Sequence, residues 1–234
     1  MEPTPTPPPV PVPRPPPPLV SWIYLGICLL LFLPHALQGG PPDRYLLYGP
    51  AIAEGQWWRV LTANFEHVNS MHMLFNGLSI FSFGPVVERQ IGSGRMLIVS
   101  LIAGLLSAAT ALALMWHYPS AGASGVIAGW LGLALPIADA RARKVLIQWT
   151  VLLVLVSLVP GVAWAAHLGG FVGGLVPGLL IRSAYRRTPT QPFRTFDRWA
   201  LLLLVLATLA VVLVVAVVLV VALHAGPRPG SVQG

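Results

Sequence analysis

Long hydrophobic runs alternate with shorter polar segments along this chain of 234 residues. A helix needs about 20 apolar residues to cross the hydrocarbon core of a bilayer, and a backbone in lipid must satisfy its own hydrogen bonds. Each long run is therefore predicted to form membrane-spanning helix. The runs are 19–37, 70–87, 96–138, 145–181 and 199–223.

Two of these runs are too long for a single span and divide in the middle. The run 96–138 is interrupted by residues 116–120 (WHYPS), and the run 145–181 is interrupted at Pro160-Gly161. Proline and glycine are typical of the turns between helices. The pattern therefore predicts seven spans and an all-α polytopic membrane protein.

Polar or proline-rich segments separate and flank the predicted spans. Residues 1–18 are mostly proline and are expected to form an extended, polyproline II tail on the cytoplasmic side. The segment 38–69 is too long for a tight turn. A basic cytoplasmic loop is predicted over 182–198, and an external tail over 224–234.

The overall composition also favours a membrane protein. Hydrophobic residues make up 56% of the chain and charged residues 9%, with a mean hydropathy of +0.76, whereas soluble domains carry about 25% charged residues. The net charge of +7 is expected to mark loops at an anionic membrane face. No basic residues interleaved with aromatic residues indicate nucleic-acid binding, and the single cysteine, Cys28, excludes an intramolecular disulfide.

The positions of lysine and arginine predict the orientation in the membrane, because these residues concentrate in cytoplasmic loops. Eleven of the fourteen fall in the N-terminal tail and in the connections after the second, fourth and sixth spans. Only Arg44, Arg59 and Arg228 fall on the other side. The N-terminus is therefore predicted to be cytoplasmic and the C-terminus external, and a bacterial cytoplasmic membrane is the expected location.

Four polar residues in the even-numbered spans are candidates for chemistry. His72 and Asn76 share one face of the second span, Ser124 lies where a loop meets the fourth span, and His167 lies near the start of the sixth. Ionisable residues inside a span are costly, so the two histidines each suggest a function. In the predicted orientation all four lie at one depth, near the external surface.

These residue types suit acyl transfer. A serine becomes a nucleophile when a base, usually histidine, takes its proton. A side-chain amide such as that of Asn76 can donate to an oxyanion, and the start of a helix favours negative charge.

Glycine spacing predicts that the helices of Ser124 and His167 touch, since small residues every four positions let helices approach closely. The glycines are Gly125 and Gly129 in the fourth span and Gly170, Gly174 and Gly178 in the sixth. Each feature alone has an ordinary explanation: the serine could be an N-cap, the histidine could bond to a carbonyl group, and transporters carry glycine stripes. Only the combination of serine, histidine and asparagine at one depth favours an enzyme.

Five short motifs follow one another between residues 57 and 178, about half of the chain. They are Trp58-Arg59, residues 67–76 (HVNSMHMLFN), Glu88-Arg89 with Gly92-Ser93-Gly94, residues 122–125 (GASG) and residues 166–174 (AHLGGFVGG). In this order the motifs resemble those of the rhomboid family of intramembrane serine proteases.

The resemblance implies a six-helix core, 19–181, followed by a seventh helix, 199–223. It implies a catalytic pair of Ser124 and His167 without a carboxylate, and the predicted spans contain no Asp or Glu. It also implies that His72, Asn76 and the backbone N–H of Ser124 surround the oxyanion. The residues with an implied structural role are Trp58, Arg59, Gly122, Gly125, Gly170 and Gly174.

One position departs from the family pattern. Several bacterial members carry an aromatic residue four positions after the serine, stacked on the catalytic imidazole, and this chain has Ala128 there. Trp130 and Trp164 are candidates to hold the ring of His167 instead. His67 matches a recurrent family position and is expected to be structural.

The function implied by the resemblance is a serine endopeptidase that cleaves transmembrane proteins near the outer membrane face through an acyl-enzyme. No metal and no organic cofactor is expected. The expected partners are transmembrane substrates and the lipid bilayer, without nucleic acid, and the oligomeric state is left open. The alternative is a catalytically silent rhomboid-like protein that binds transmembrane clients. A transporter is disfavoured, because no repeated half and no acidic residue within a span is found.

Overall fold

The computed structural model describes residues 17–38 and 44–224. The predicted tails 1–18 and 224–234 lie outside these residues, apart from Pro17, Pro18 and His224. The helices of the described part are α1 (Leu19–Gln38), α2 (Gly49–Ala53), α3 (Arg59–Thr62), α4 (Ser70–Ile91), α5 (Ser93–Leu114), α6 (Ser124–Ile137), α7 (Ala140–Ser157), α8 (Trp164–Arg187) and α9 (Arg194–His224).

Within the described residues the chain is all-α, as predicted, apart from one isolated bridge between Leu47 and Ser120. The seven longer helices each correspond to one predicted span. By length and hydropathy, α5, α8 and α9 as far as Val220 can cross a membrane, whereas α1 as far as Pro34 and α6 are shorter apolar helices. The number of membrane-crossing helices stays a prediction.

The helices extend beyond the hydrophobic runs into the charged residues at their ends. The predicted bounds of the loop, 182–198, were wrong, because α8 ends at Arg187 and α9 begins at Arg194. Only residues 188–193 connect the two helices. Arginines at the end of α8 are favoured by the helix dipole and can extend their long side chains towards water, so their charge does not stop the helix.

The centre of the bundle is the contact between α6 and α8, where the two backbones meet. A Cβ atom on Gly170 would overlap the carbonyl oxygen of Gly125, and a Cβ atom on Gly174 would overlap that of Gly129. The glycines therefore permit an approach that any side chain would prevent. The contact between the two glycine stripes is the one that their spacing predicts.

A buried carboxylate fastens the starts of α1 and α5 to the end of α4. Glu88 accepts hydrogen bonds from the backbone N–H groups of Val20 and Ser21, at 2.9 and 2.8 Å. It also accepts from the hydroxyls of Ser21 and Ser93, at 2.7 and 2.6 Å. A negative charge is favourable at the start of a helix, so Glu88 anchors the three helices to one another.

The segment 44–69 folds against the bundle and carries two short helices. Buried Arg59 donates from Nη1 to the carbonyl oxygen of Leu46 at 2.7 Å. Leu47 and Ser120 exchange both backbone hydrogen bonds, at 2.8 and 2.9 Å. This pairing ties the first loop to the residues that lead into α6.

Candidate active site

The predicted site residues come together at one end of the bundle, which we call the site end. The starts of α4, α6 and α8 and the last residue of α7 meet there. The opposite ends of the helices carry most of the basic residues, and we call them the basic end. Its basic residues are Arg89, Arg95, Arg141, Arg143, Lys144, Arg182, Arg186, Arg187, Arg194 and Arg198.

Ser124 and His167 are in direct contact. The Oγ atom of Ser124 lies 2.8 Å from the Nε2 atom of His167, a hydrogen-bond distance. His167 is buried, with 6% of its surface exposed, and Ser124 is half-buried. A hydroxyl next to an imidazole nitrogen is the arrangement in which histidine can take the proton of serine.

The position of Ser124 follows from the shortness of α6. Its 14 residues extend about 21 Å at 1.5 Å per residue, less than the roughly 30 Å thickness of the hydrocarbon core. A helix of this length begins below one membrane surface when its other end reaches the opposite surface. Ser124 is its first residue, so in that placement its hydroxyl would lie below the surface at the site end.

His72 and Asn76 lie against the loop that precedes Ser124. A Cβ atom on Gly122 would come within 2.6 Å of the His72 ring and 3.5 Å of the Asn76 amide nitrogen. Gly122 has a φ of 122°, which is strained for residues with a side chain. The backbone can therefore adopt this turn and approach both side chains only because residue 122 is glycine.

The first turn of α4 holds His72 in place. Asn69 is the N-cap, and its side chain accepts a hydrogen bond from the backbone N–H of His72 at 2.8 Å. The ring of His67 packs edge-on against the ring of His72, with 5.0 Å between centroids. Asn76 follows one turn later and is buried.

His67 is held in a neutral form by its surroundings. Its Nδ1 atom lies 3.1 Å from the carbonyl oxygen of Phe65, which can only accept, so Nδ1 carries the proton. Burial, with a smaller contribution from nearby His72, lowers the pKa of His67 to about 4. The residue therefore supports His72 sterically, in agreement with the structural role expected from the sequence.

The first turn of α8 is fixed against α5. Thr110 donates from its hydroxyl to the carbonyl oxygen of Ala165 at 2.7 Å. A Cβ atom on Gly169 would overlap both Thr110 and the backbone of Leu106. These contacts fix the backbone on either side of His167. The orientation of the His167 ring then depends on the hydrogen-bond partners of the two ring nitrogens.

The second nitrogen of that ring contacts a residue that the sequence did not indicate. The Nδ1 atom of His167 lies 2.7 Å from the Oγ atom of Ser157. The sequence carries only a weak signal for this serine: Ser157 lies three residues before Pro160, and His167 lies six residues after Gly161. When a chain reverses at such a turn, residues a few positions on either side of it come close together.

Of the two tryptophans proposed to hold the His167 ring, Trp130 has other partners. Trp130 donates from Nε1 to the hydroxyl of Ser100 at 2.9 Å and packs edge-on against Tyr24. Trp164 is 44% exposed. The expectation for Trp130 was wrong, because the side chain is oriented towards α1 and α5.

The tryptophan–arginine pair of the first loop has two different environments. Trp58 is 45% exposed, and its indole N–H donates to the carbonyl oxygen of Arg44 at 3.3 Å. Arg59 is buried and hydrogen-bonded to Gln56 and Leu46. Arg59 therefore stabilises the loop from inside, while Trp58 presents an aromatic surface outwards.

Comparison with known proteins adds independent findings. The Rhomboid domain family model matches residues 54–184, which include all the predicted site residues. Over 198 residues the chain is 32% identical to Rhomboid protease GluP of Bacillus subtilis (strain 168), covering 80% of this chain and 39% of GluP. Over 172 residues it is 30% identical to Rhomboid protease GlpG of Klebsiella pneumoniae subsp. pneumoniae, covering 66% of this chain and 60% of GlpG.

The helical fold, the apolar helices and these matches define an integral, multi-pass membrane protein of the all-α class. The chain belongs to the rhomboid family. It spans about two fifths of the length of GluP and three fifths of the length of GlpG.

Proposed function

We propose that this protein is an intramembrane serine endopeptidase that cleaves transmembrane proteins near the outer membrane face. The observation that carries the proposal is the 2.8 Å contact between Ser124 Oγ and His167 Nε2, in a chain of the rhomboid family. Two relatives are named rhomboid proteases, which supports the same reaction here.

In the proposed reaction Ser124 Oγ attacks the carbonyl carbon of the scissile peptide bond while His167 Nε2 takes the hydroxyl proton. The tetrahedral intermediate collapses, the C–N bond breaks, and His167 gives its proton to the leaving amine. Water then attacks the acyl-enzyme with His167 again acting as the base, and the free serine is restored.

The oxyanion of the intermediate needs hydrogen-bond donors. His72, Asn76 and the backbone N–H of Ser124 are the proposed donors. The close approach of Gly122 to His72 and Asn76 supports this assignment, because it places both side chains beside the loop that ends at Ser124. Donors that are already oriented stabilise the developing charge without reorganisation during the reaction.

The placement in the membrane supports cleavage near the outer face. The basic end is expected to face the cytoplasm, which puts the site end towards the outside. Ser124 is the first residue of α6 and is half-buried at the site end, so we expect water and an extended substrate segment to reach it from the outer surface.

The test uses the purified full chain in proteoliposomes with a model transmembrane substrate and a fluorophosphonate probe that labels active serines. We expect the wild type to cleave the substrate and to be labelled, and Ser124→Ala to do neither. Asn76→Ala should retain folding but lose about 10²–10³-fold in rate, the usual cost of one oxyanion donor.

Ser82→Ala is the matched control, since Ser82 is an exposed serine whose hydroxyl bonds only within its own helix, to Leu78. It should keep wild-type activity. Equal cleavage by wild type and Ser124→Ala would refute the assignment. A folded wild type that neither cleaves nor is labelled would instead favour the catalytically silent, client-binding protein.

A further inference from the structure

The imidazole of His167 is held between two hydroxyls, one on each nitrogen. Nε2 lies 2.8 Å from Ser124 Oγ and Nδ1 lies 2.7 Å from Ser157 Oγ. Ser157 is the last residue of α7, and the turn at Gly161, with a φ of 92°, brings the end of α7 beside the start of α8. The second hydroxyl therefore comes from a helix other than those that carry the proposed catalytic pair.

The hydrogen bonds of Ser157 determine which atom is the donor in its contact with His167. Its hydroxyl also lies 2.6 Å from the carbonyl oxygen of Leu153, which can only accept. A serine hydroxyl has one proton and two lone pairs. Because the proton of Ser157 is given to Leu153, the oxygen must accept towards His167, and the proton between them belongs to Nδ1.

The tautomer of the imidazole follows from this assignment. A neutral imidazole carries one proton, so a protonated Nδ1 leaves a lone pair on Nε2. That lone pair points at the hydroxyl of Ser124 and can accept its proton. The opposite tautomer would have Nε2 donating to Ser124, and His167 could then not act as the base.

We propose that Ser157 is a positioning residue that selects the reactive tautomer of His167 and holds its ring towards Ser124. In serine proteases with a triad a carboxylate orients the histidine in this way, and here a neutral hydroxyl fixed by a backbone carbonyl occupies the equivalent place. The inference rests on the proposed function, but the protonation state it assigns can be measured without substrate.

Ser157 itself is a poor candidate for the nucleophile. Its hydroxyl proton is given to Leu153 within the same helix, and it lies at the end of a helix, where the dipole disfavours a developing negative charge. Ser124 starts a helix and adjoins the loop that contacts His72 and Asn76. Two serines on one histidine therefore have different roles.

The first test is kinetic and separates orientation from binding. A neutral hydrogen bond of usual net strength corresponds to about tenfold in rate, so Ser157→Ala should lower kcat about tenfold and leave KM unchanged. Ser157→Thr keeps a hydroxyl that can bond to Leu153 and should recover most of the lost rate. Thr150→Val is the matched control, because it removes a hydroxyl from α7 that bonds only to Leu146.

The second test measures the tautomer directly by 15N NMR of the protein in lipid, with its histidines labelled. The signals of His167 are identified because they are absent from the spectrum of His167→Gln. Wild type should show a protonated Nδ1 and an unprotonated Nε2. Ser157→Ala should show a mixture of tautomers. The proposal is overturned if wild type carries the proton on Nε2, or if folded Ser157→Ala keeps both the wild-type kcat and the wild-type spectrum. A wild type without protease activity but with the protonated Nδ1 would refute the proposed function and leave the role of Ser157 in selecting the tautomer standing.

Discussion

The side chains around His72 in the candidate site have few alternative conformations. Asn69 caps α4 at His72, and His67 packs against the ring of His72. His67 is close-packed and neutral, so adding a proton to it would place an unsolvated charge beside a second imidazole. The neighbourhood of His72 is therefore expected to be sensitive to acid.

We predict that acid destabilises the fold through His67. Its folded pKa of about 4 is below the ordinary value of about 6.5, so the unfolded chain binds the proton more readily. The stability that neutral His67 contributes is complete above about pH 6.5 and is lost as the pH falls towards 4, by up to about 3 kcal/mol.

The measurement is the unfolding midpoint in detergent between pH 7 and pH 4. His67→Phe should show a shallower decline than wild type, because a ring that does not titrate remains in place. Substitution of the exposed His117 by Gln is the control. A decline of equal slope in wild type and His67→Phe would contradict the prediction.

Helices α6 and α8 set the geometry of the site through their backbones. Ser124 begins one and His167 lies in the first turn of the other, so a change in the distance between the helices changes the distance between hydroxyl and imidazole. The glycine contacts between α6 and α8 are therefore expected to govern both stability and activity.

We predict that Gly174→Ala destabilises the protein and lowers activity. The new methyl group would overlap the backbone of Gly129, and a backbone cannot rotate aside as a side chain can. Overpacking of this kind costs about 1–3 kcal/mol, and the helices must separate to relieve it.

The matched control is Gly26→Ala, because a Cβ atom on Gly26 has no neighbour within 4 Å. It should leave the unfolding midpoint unchanged or raise it slightly, since alanine favours helix. The comparison uses thermal unfolding and the cleavage assay. Equal stability of the two variants would show that the helices do not meet through the glycines.

At the scale of the whole molecule, charge and chemistry are separated to opposite ends of the bundle. The site end carries the serine, the histidines and the asparagine, and the basic end carries most of the arginines. Arg95 and Asp197 form an ion pair at the basic end, at 2.7 Å, and link α5 to α9. Because cytoplasmic loops are rich in Lys and Arg, this separation predicts the orientation in the membrane.

We predict that the site end faces the outside. In a Cys28→Ala background, Tyr118→Cys places a thiol at the site end and Thr190→Cys places one at the basic end. A membrane-impermeant maleimide added to intact cells should label Tyr118→Cys only, and permeabilised cells should show labelling of both. Labelling of Thr190→Cys in intact cells would contradict the orientation.

The number of long helices and their order could be predicted, because a long apolar run in a membrane must satisfy its own backbone hydrogen bonds and therefore forms a helix. The residues at which the helices end could not be predicted where those ends are charged, because an arginine at the end of α8 is compatible with both helix and loop. The pairing of Ser124 with His167 could be anticipated from the glycine stripes, whose spacing already favours close approach.

The sequence by itself determined the class of protein, the helical runs, the asymmetry of charge and the four residues of the candidate site. All of these depend on composition and on spacing along one chain. The tertiary structure decided the position of Ser124 at the first residue of a short helix, the packing of Trp130 against Tyr24 and Ser100, and the contact of Ser157 with His167. Those features depend on how far a helix extends and where a turn returns the chain, and such distances arise only when separate helices pack together.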